Sequence, residues 1–152
     1  GNEFQNKDKI KSFVNKLGIN DNVHFLGFIN DEDLFKLYKN AKCLLYPSWG
    51  GPENLPPLEA FSLGCPVIAN SIPGALEQLS DNAILVDCSN PKLIAEKMEL
   101  IFNNDNLRKD LIDKGKVRSE KWKINDYVNK YIENFEKYLN KYQFNFFKKN
   151  KS

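Results

Sequence analysis

The chain contains few of the residue types that build metal centres and disulfide frameworks. Its 152 residues include one histidine, His24, and three cysteines, Cys43, Cys65 and Cys88. The cysteines are odd in number, have no C-x-x-C spacing and lie in or beside apolar segments, as small buried residues in a reducing compartment do. Because zinc sites need several histidine or cysteine ligands, we expect no metal site.

Long apolar runs and a strong charge imbalance are also absent. The sequence has no uninterrupted apolar run of the roughly 18 residues that a membrane-spanning helix needs, and it opens on polar residues rather than on a signal peptide. A net charge of +2 is too small to indicate a nucleic-acid partner. The hydrophobic fraction of 41% and charged fraction of 28% are typical of a globular domain with its own core. Because the first residue is Gly1 and not Met, we expect a fragment of a longer protein.

Short apolar runs alternate with segments of helical periodicity along most of the chain. Strands are predicted at residues 23–28, 42–46, 67–70 and 83–87. Helices are predicted at residues 7–17, from Leu34, from Leu55, at residues 74–79, from Pro91, around Leu107–Ile112 and around Tyr127–Leu139. This alternation predicts an α/β fold, a Rossmann-like parallel sheet flanked by helices, whose ligand crevice lies at the carboxyl ends of the strands.

Residues 46–68 are the most informative segment. A turn cluster from Pro47 to Pro52 follows an apolar run, and a helix with prolines in its first turn then begins near Leu55. A helix N-terminus presents unpaired amides and a positive dipole end, which favour phosphate. Glu59, about one turn inside, is better suited to accept hydrogen bonds from sugar hydroxyls, as the acidic residue of dinucleotide-binding folds does for ribose.

This segment resembles the donor-binding signature of retaining GT-B glycosyltransferases of group 1 (the GT4 class), P-S-x-x-E-G-F-G-L-P-x-x-E-A followed by G-x-P-V-I. The matching residues are Pro47, Ser48, Leu55, Pro56, Glu59, Ala60, Gly64, Pro66, Val67 and Ile68. The family's V-x-F-L-G and L-x-x-x-Y-x-x-A segments match residues 23–27 and 34–41, and residues 73–77 and 83–87 fit the elements that follow. The resemblance covers roughly residues 22–122.

One departure from the signature concerns its paired glutamates. The family's paired glutamates lie eight positions apart, and Gly51 stands eight before Glu59. The local string G-P-E-N-L-P-P-L-E looks like a subgroup variant in which Glu53 lies two positions late. Residue 51 therefore has no carboxylate to make the family's contact between the first glutamate and the donor sugar, and Glu53 is the one catalytic residue that we consider.

The resemblance implies a glycosyltransferase of hexosyltransferase type, whose C-terminal domain binds a nucleotide diphosphate-sugar without a metal or other cofactor. Glu59 would bind the ribose hydroxyls, and the amides at Asn54 and Leu55, beside Pro56, would cradle the diphosphate. Ser48 could bond a phosphate or cap its own turn. Residues Phe28 and Ile29 would meet the nucleobase with their backbone, or pack in the core.

The resemblance also bears on domains, partners and location. Residues 1–141 would be part of the C-terminal domain, lacking its first two strands, and residues 142–152 an aromatic and basic tail. The acceptor, a surface polysaccharide or glycolipid, would be bound by an N-terminal domain outside this chain, so the isolated chain would be inactive. We expect a cytoplasmic protein, whose Phe- and Lys-rich tail either is disordered or makes a peripheral contact with anionic lipid at the inner membrane face.

Two other interpretations remain at this stage. The chain could belong to another enzyme on the same GT-B scaffold, a nucleotide-sugar epimerase or a phosphorylase, although few of the acid or base groups that an epimerase needs are available in the crevice. It could also be a non-catalytic nucleotide-sugar-binding or interaction domain that has lost the first glutamate.

Overall fold

The structure, a computed structural model, describes residues 7–50, 55–121 and 124–141. The chain divides into two compact units, Gly1–Leu37 and Tyr38–Ser152. The expected tail at residues 142–152 lies outside the described residues.

Within residues 7–37, the regular elements of the first unit are helices. Helix α1 spans Lys7–Leu17 and ends at Gly18, whose φ of +67° is in the left-handed region that favours glycine. Helix α2 spans Asp31–Asn40 and crosses the boundary into the second unit. Its first turn is capped by Asn30, whose Oδ1 accepts a hydrogen bond of 2.9 Å from the backbone N–H of Asp33.

The strand predicted at residues 23–28 is wrong. These residues are irregular and join no ladder with another segment of the described chain. Their largely apolar sequence, V-H-F-L-G-F, suits a strand, but Gly27 has φ +69°, which ends any extended run there. A strand also needs a partner to pair its backbone groups, and sequence alternation does not supply one.

The second unit is built on a parallel sheet of three strands. Strand β1 spans Leu44–Tyr46, β2 spans Val67–Asn70 and β3 spans Ile84–Val86, in the order β1-β2-β3. Leu45 lies opposite Ile68, and Ile68 opposite Ile84. All four residues of the central strand are buried, as expected for a parallel strand covered on both faces.

Five further α-helices lie in the described part of this unit. Their bounds are Leu55–Ser62 for α3, Pro73–Leu79 for α4, Pro91–Asn103 for α5, Asp105–Glu120 for α6 and Ile124–Lys141 for α7. Helix α5 starts at the predicted Asn90-Pro91 pair. Asn90 caps the helix, since its Oδ1 accepts a hydrogen bond of 3.2 Å from Leu93 N, and Pro91 suits the first position because it has no N–H that would lack a partner there. The predicted α/β fold with a parallel sheet flanked by helices is confirmed.

Helices α5 and α6 cover the sheet with one buried cluster, Ile68, Val86, Ile101 and Leu111. Helix α6 also holds α4, because Arg118 donates from Nε to Gln78 O at 2.8 Å and from Nη2 to Glu77 O at 3.0 Å. A cation on the last carbonyls of a helix is favoured by both hydrogen bonding and the helix dipole.

The cysteines behave as small core residues. Cys65 is buried, Cys43 and Cys88 are half-buried, and all three are free thiols. Burial raises the pKa of each thiol, that of Cys65 to about 11. Within residues 7–50, 55–121 and 124–141, no group of three or more His, Cys, Asp or Glu is arranged to hold a metal ion. No helix in these same ranges is long and apolar enough to cross a bilayer.

Candidate functional site

The three parallel strands end at one edge of the sheet. The loops that leave this edge begin after Tyr46, Asn70 and Val86. In open α/β sheets the ligand crevice lies at this edge, so the loop after β1, which carries the predicted residue Ser48, belongs to it.

Asn70 joins the loops on either side of it. Its side chain is 3% exposed. Its Nδ2 donates to Ser48 O at 3.3 Å, and its Oδ1 accepts from Cys88 N at 3.1 Å. The last residue of the central strand thus links the loop after β1 to the loop after β3. Sequence reasoning missed Asn70, although an amide that ends the otherwise apolar strand V-I-A-N was a usable signal.

The Ser48 hydroxyl serves its own turn. Its Oγ donates to Gly50 O at 3.3 Å and accepts from Gly50 N at 3.5 Å. This is the turn-capping alternative for Ser48. The role of Ser48 toward a phosphate stays a prediction. Trp49, beside it, is 68% exposed at the same loop.

Helix α3 begins where the loop from β1 ends. Residues 51–54 lie outside the described residues, and with them the predicted site residues Glu53 and Asn54 and the departure at Gly51. The described start is Leu55, which is exposed, followed by the half-buried Pro56. Because prolines carry no N–H, Leu55 supplies the described amide donor of this helix start.

Glu59 lies on the exposed side of α3. The opposite face is buried through Pro57, Ala60 and Phe61. Past its C-terminal end, Gly64 adopts φ +74° and Cys65 N donates to Ala60 O at 2.8 Å, which satisfies a terminal carbonyl. The buried face fixes the rotation of the helix, and this leaves the Glu59 carboxylate accessible.

Tyr38 contacts this carboxylate. Its Oη donates to Glu59 Oε2 at 3.4 Å, and its side chain is 8% exposed. Burial, and then the neighbouring charge and hydrogen bond of Glu59, raise the pKa of the Tyr38 phenol to about 12. The phenol is therefore a neutral donor at physiological pH.

A second carboxylate lies at the same edge, just after β3. Asp87 Oδ1 accepts from Ser89 Oγ at 2.7 Å and from Ser89 N at 2.9 Å. These hydrogen bonds lower the pKa of the exposed Asp87 carboxyl. The edge thus carries a negative charge near β3, whereas the amides of the α3 start lie after β1.

The predicted nucleobase residues belong to the first unit. The Phe28 side chain is 93% exposed, and Ile29 is half-buried. Their role toward a nucleobase stays a prediction.

The family model "Glycosyl transferases group 1" matches residues 1–118. Among curated proteins, the chain is 33% identical over 125 residues to the GalNAc-alpha-(1->4)-GalNAc-alpha-(1->3)-diNAcBac-PP-undecaprenol alpha-1,4-N-acetyl-D-galactosaminyltransferase of Campylobacter jejuni. That alignment covers 79% of this chain and 33% of the relative. The chain spans about a third of the length of the curated relatives that it matches first.

Solved structures show the same fold. The C-terminal domain of the group 1 family glycosyl transferase LpcC from Francisella tularensis superposes with a TM-score of 0.69 at 25% identity, over 78% of this chain and 63% of that one. The Anabaena protein HepE, solved in complex with UDP and glucose, superposes with a TM-score of 0.73 at 20% identity, over 89% of this chain and 38% of that one. The chain belongs to the group 1 glycosyltransferase family and corresponds to the C-terminal domain of its GT-B fold.

Proposed function

We propose that this chain is the donor-binding part of a retaining glycosyltransferase. The reaction would move a sugar from a nucleotide diphosphate-sugar to an acceptor. Membership of the group 1 family supports this class of reaction. The observation that carries the assignment of the site is the exposed Glu59 carboxylate, one turn into the helix that starts beyond the carboxyl end of β1.

The diphosphate would lie at the start of α3. The N–H of Leu55 and, in the predicted arrangement, that of Asn54 would donate to its oxygens, and the helix dipole would favour its charge. The negative charge on this leaving group grows as the glycosidic bond breaks. Donors held in place before the reaction stabilise that charge without reorganising, so the mechanism requires no metal.

Glu59 would hold the nucleoside end of the donor. A carboxylate accepts hydrogen bonds only, and ribose offers two hydroxyl donors. Because Gly51 replaces the family's first glutamate, the sugar would be held by Glu53, by backbone or by water.

The acceptor would be a surface polysaccharide or glycolipid, bound by a domain outside this chain. The Campylobacter relative is named for an undecaprenol-linked glycan, and another relative, from Escherichia coli, is named an O-antigen chain mannosyltransferase. We place the reaction in the cytoplasm, at the inner membrane face. Because a single domain cannot orient both substrates, the chain alone would show no useful transfer.

Calorimetric titration of the 152-residue chain with ADP, GDP and UDP tests donor binding. We expect at least one of the three to bind. Glu59→Ala should then weaken binding by about 1.5–3 kcal/mol, the usual loss for a hydrogen bond to a charged group. The matched control is Glu99→Ala, which removes an exposed helical carboxylate on α5 and should leave the affinity unchanged.

The outcomes separate the parts of the proposal. If none of the nucleotides binds, the donor-binding function is wrong. If Glu59→Ala keeps full affinity but melts at a lower temperature, Glu59 has a structural role only. Efficient sugar transfer by the chain alone would contradict the dependence on a further domain.

A further inference from the structure

A buried phenol lies next to Glu59, the residue proposed to bind the ribose. Tyr38 and Glu59 are 21 positions apart in sequence, and the hydrogen bond from Tyr38 Oη to Glu59 Oε2 brings them together at 3.4 Å. Tyr38 is 8% exposed, whereas the Glu59 side chain is open to solvent. One end of the pair therefore lies in the packed interior and the other at the surface that a ligand can reach.

This hydrogen bond limits the orientations of the Glu59 carboxylate but occupies only part of its capacity to accept hydrogen bonds. A carboxylate has lone pairs for about four hydrogen bonds, so a bond to Oε2 leaves Oε1 able to accept others. A glutamate in solvent samples many rotamers and loses that freedom when it binds a ligand. A side chain that is already held by a rigid donor loses less.

Tyr38 is suited to this task over a wide pH range. Burial is the main reason that the pKa of its phenol is raised to about 12, so the phenol stays protonated at lower pH. A neutral phenol donates one hydrogen bond to the carboxylate and leaves the remaining lone pairs of Glu59 for hydroxyl donors of the ligand.

We propose that Tyr38 is a positioning residue, which holds the Glu59 carboxylate in the orientation that accepts hydrogen bonds from the ribose hydroxyls of the nucleotide donor. The inference rests on the proposed donor-binding function. It assigns ribose recognition to a pair of residues, of which only Glu59 touches the ligand.

The test compares ribose and dideoxyribose ligands on matched variants. Calorimetry on the 152-residue chain would use whichever of ADP, GDP and UDP binds best, together with its 2′,3′-dideoxy form. Tyr38→Phe keeps the ring and removes only the donor. We expect this variant to bind the ribonucleotide about 3- to 10-fold more weakly and to bind the dideoxynucleotide with unchanged affinity.

Two further variants complete the design. Glu59→Gln alone should lose most of the preference for the ribonucleotide over its dideoxy form. The double variant with Tyr38→Phe should show no further loss of affinity, because no carboxylate is left to position. Tyr138→Phe, at an exposed tyrosine of α7, is the control for removing a phenol oxygen and should not change either affinity.

Each result decides between explanations. If Tyr38→Phe lowered the affinity for the ribonucleotide and for the dideoxynucleotide equally, the effect would be one of packing and the inference would be overturned. Unchanged binding in Tyr38→Phe, with ribose preference lost in Glu59→Gln, would overturn it and leave the donor-binding function standing. If the unchanged chain binds none of the nucleotides, the proposed function itself fails.

A folding check keeps the test decisive. Tyr38→Phe should melt within a few degrees of the unchanged chain. If it melts much lower, 3-fluorotyrosine at position 38 replaces it, since this residue keeps both ring and hydroxyl but has a more acidic phenol. It should alter the ratio of ribose to dideoxyribose affinity, and an unaltered ratio would count against the inference.

Discussion

Gly115 of α6 lies against the ring of Phe61 of α3. A Cβ atom at Gly115 would lie 2.7 Å from Phe61 Cδ1 and 3.1 Å from Cγ. Phe61 is 1% exposed and belongs to the buried face of the helix that carries Glu59. The missing side chain of Gly115 therefore sets how closely α6 supports the helix of the candidate site.

Gly115→Ala should destabilise the protein. Alanine is favoured over glycine inside a helix by about 1 kcal/mol, but the added methyl group meets the root of a buried ring that has no space to move. Overpacking of this kind usually costs about 1–3 kcal/mol, so the clash should prevail. Urea denaturation of both proteins measures the change in the free energy of unfolding.

The matched control is Gly74→Ala in α4, where a Cβ would meet nothing within 4 Å. That variant should be neutral or slightly more stable. If both variants had the same stability, the close approach at Gly115 would have no energetic role.

Asn70→Ala should weaken the fold at the carboxyl edge of the sheet. It removes both hydrogen bonds of a buried amide and leaves Ser48 O and Cys88 N without that partner. We expect a loss of about 1–3 kcal/mol in the free energy of unfolding. Faster amide exchange at Cys88, measured by NMR, would locate the effect.

Asn103→Ala provides the comparison, because Asn103 is an exposed residue at the end of α5. The free energy of unfolding of this variant should stay within about 0.5 kcal/mol of that of the unchanged chain. A similar small effect for Asn70→Ala would mean that the two loops hold their positions without the amide.

Stability should fall at alkaline pH. Burial raises the pKa of Cys65 from 9.0 to about 11 and that of Tyr38 from 10.0 to about 12. Well below pH 9 both groups are protonated in the folded and unfolded states, and their contribution is fully present. Between pH 9 and 12 the unfolded chain ionises first, so the folded state binds more protons and its stability decreases as pH rises.

Urea denaturation under reducing conditions at several pH values between 8 and 11.5 would show this slope. Cys65→Ala and Tyr38→Phe should each reduce the decrease of the free energy of unfolding with pH, whatever their effect on that free energy at pH 8. An unchanged slope in both variants would show that these two groups do not govern the alkaline response.

Much of the fold was predictable because local chemistry decides it. The Asn90-Pro91 start of α5 and the Gly18 end of α1 depend on caps and backbone angles within a few residues. The apolar run at residues 67–70 has the pattern of a strand buried on both faces, and the structure buries all of it. The family signature around Glu59 likewise lies within one segment of the sequence.

The sequence by itself therefore determined the helices, the three strands of the sheet and the family. The tertiary structure alone decided that residues 23–28 form no strand, that Asn70 bonds both Ser48 and Cys88, and that the Tyr38 hydroxyl meets the Glu59 carboxylate. These features depend on partners some 20 positions away in sequence, or on the lack of one. Hydrophobic periodicity reports which face of an element is buried, but it does not report which distant polar group that face meets.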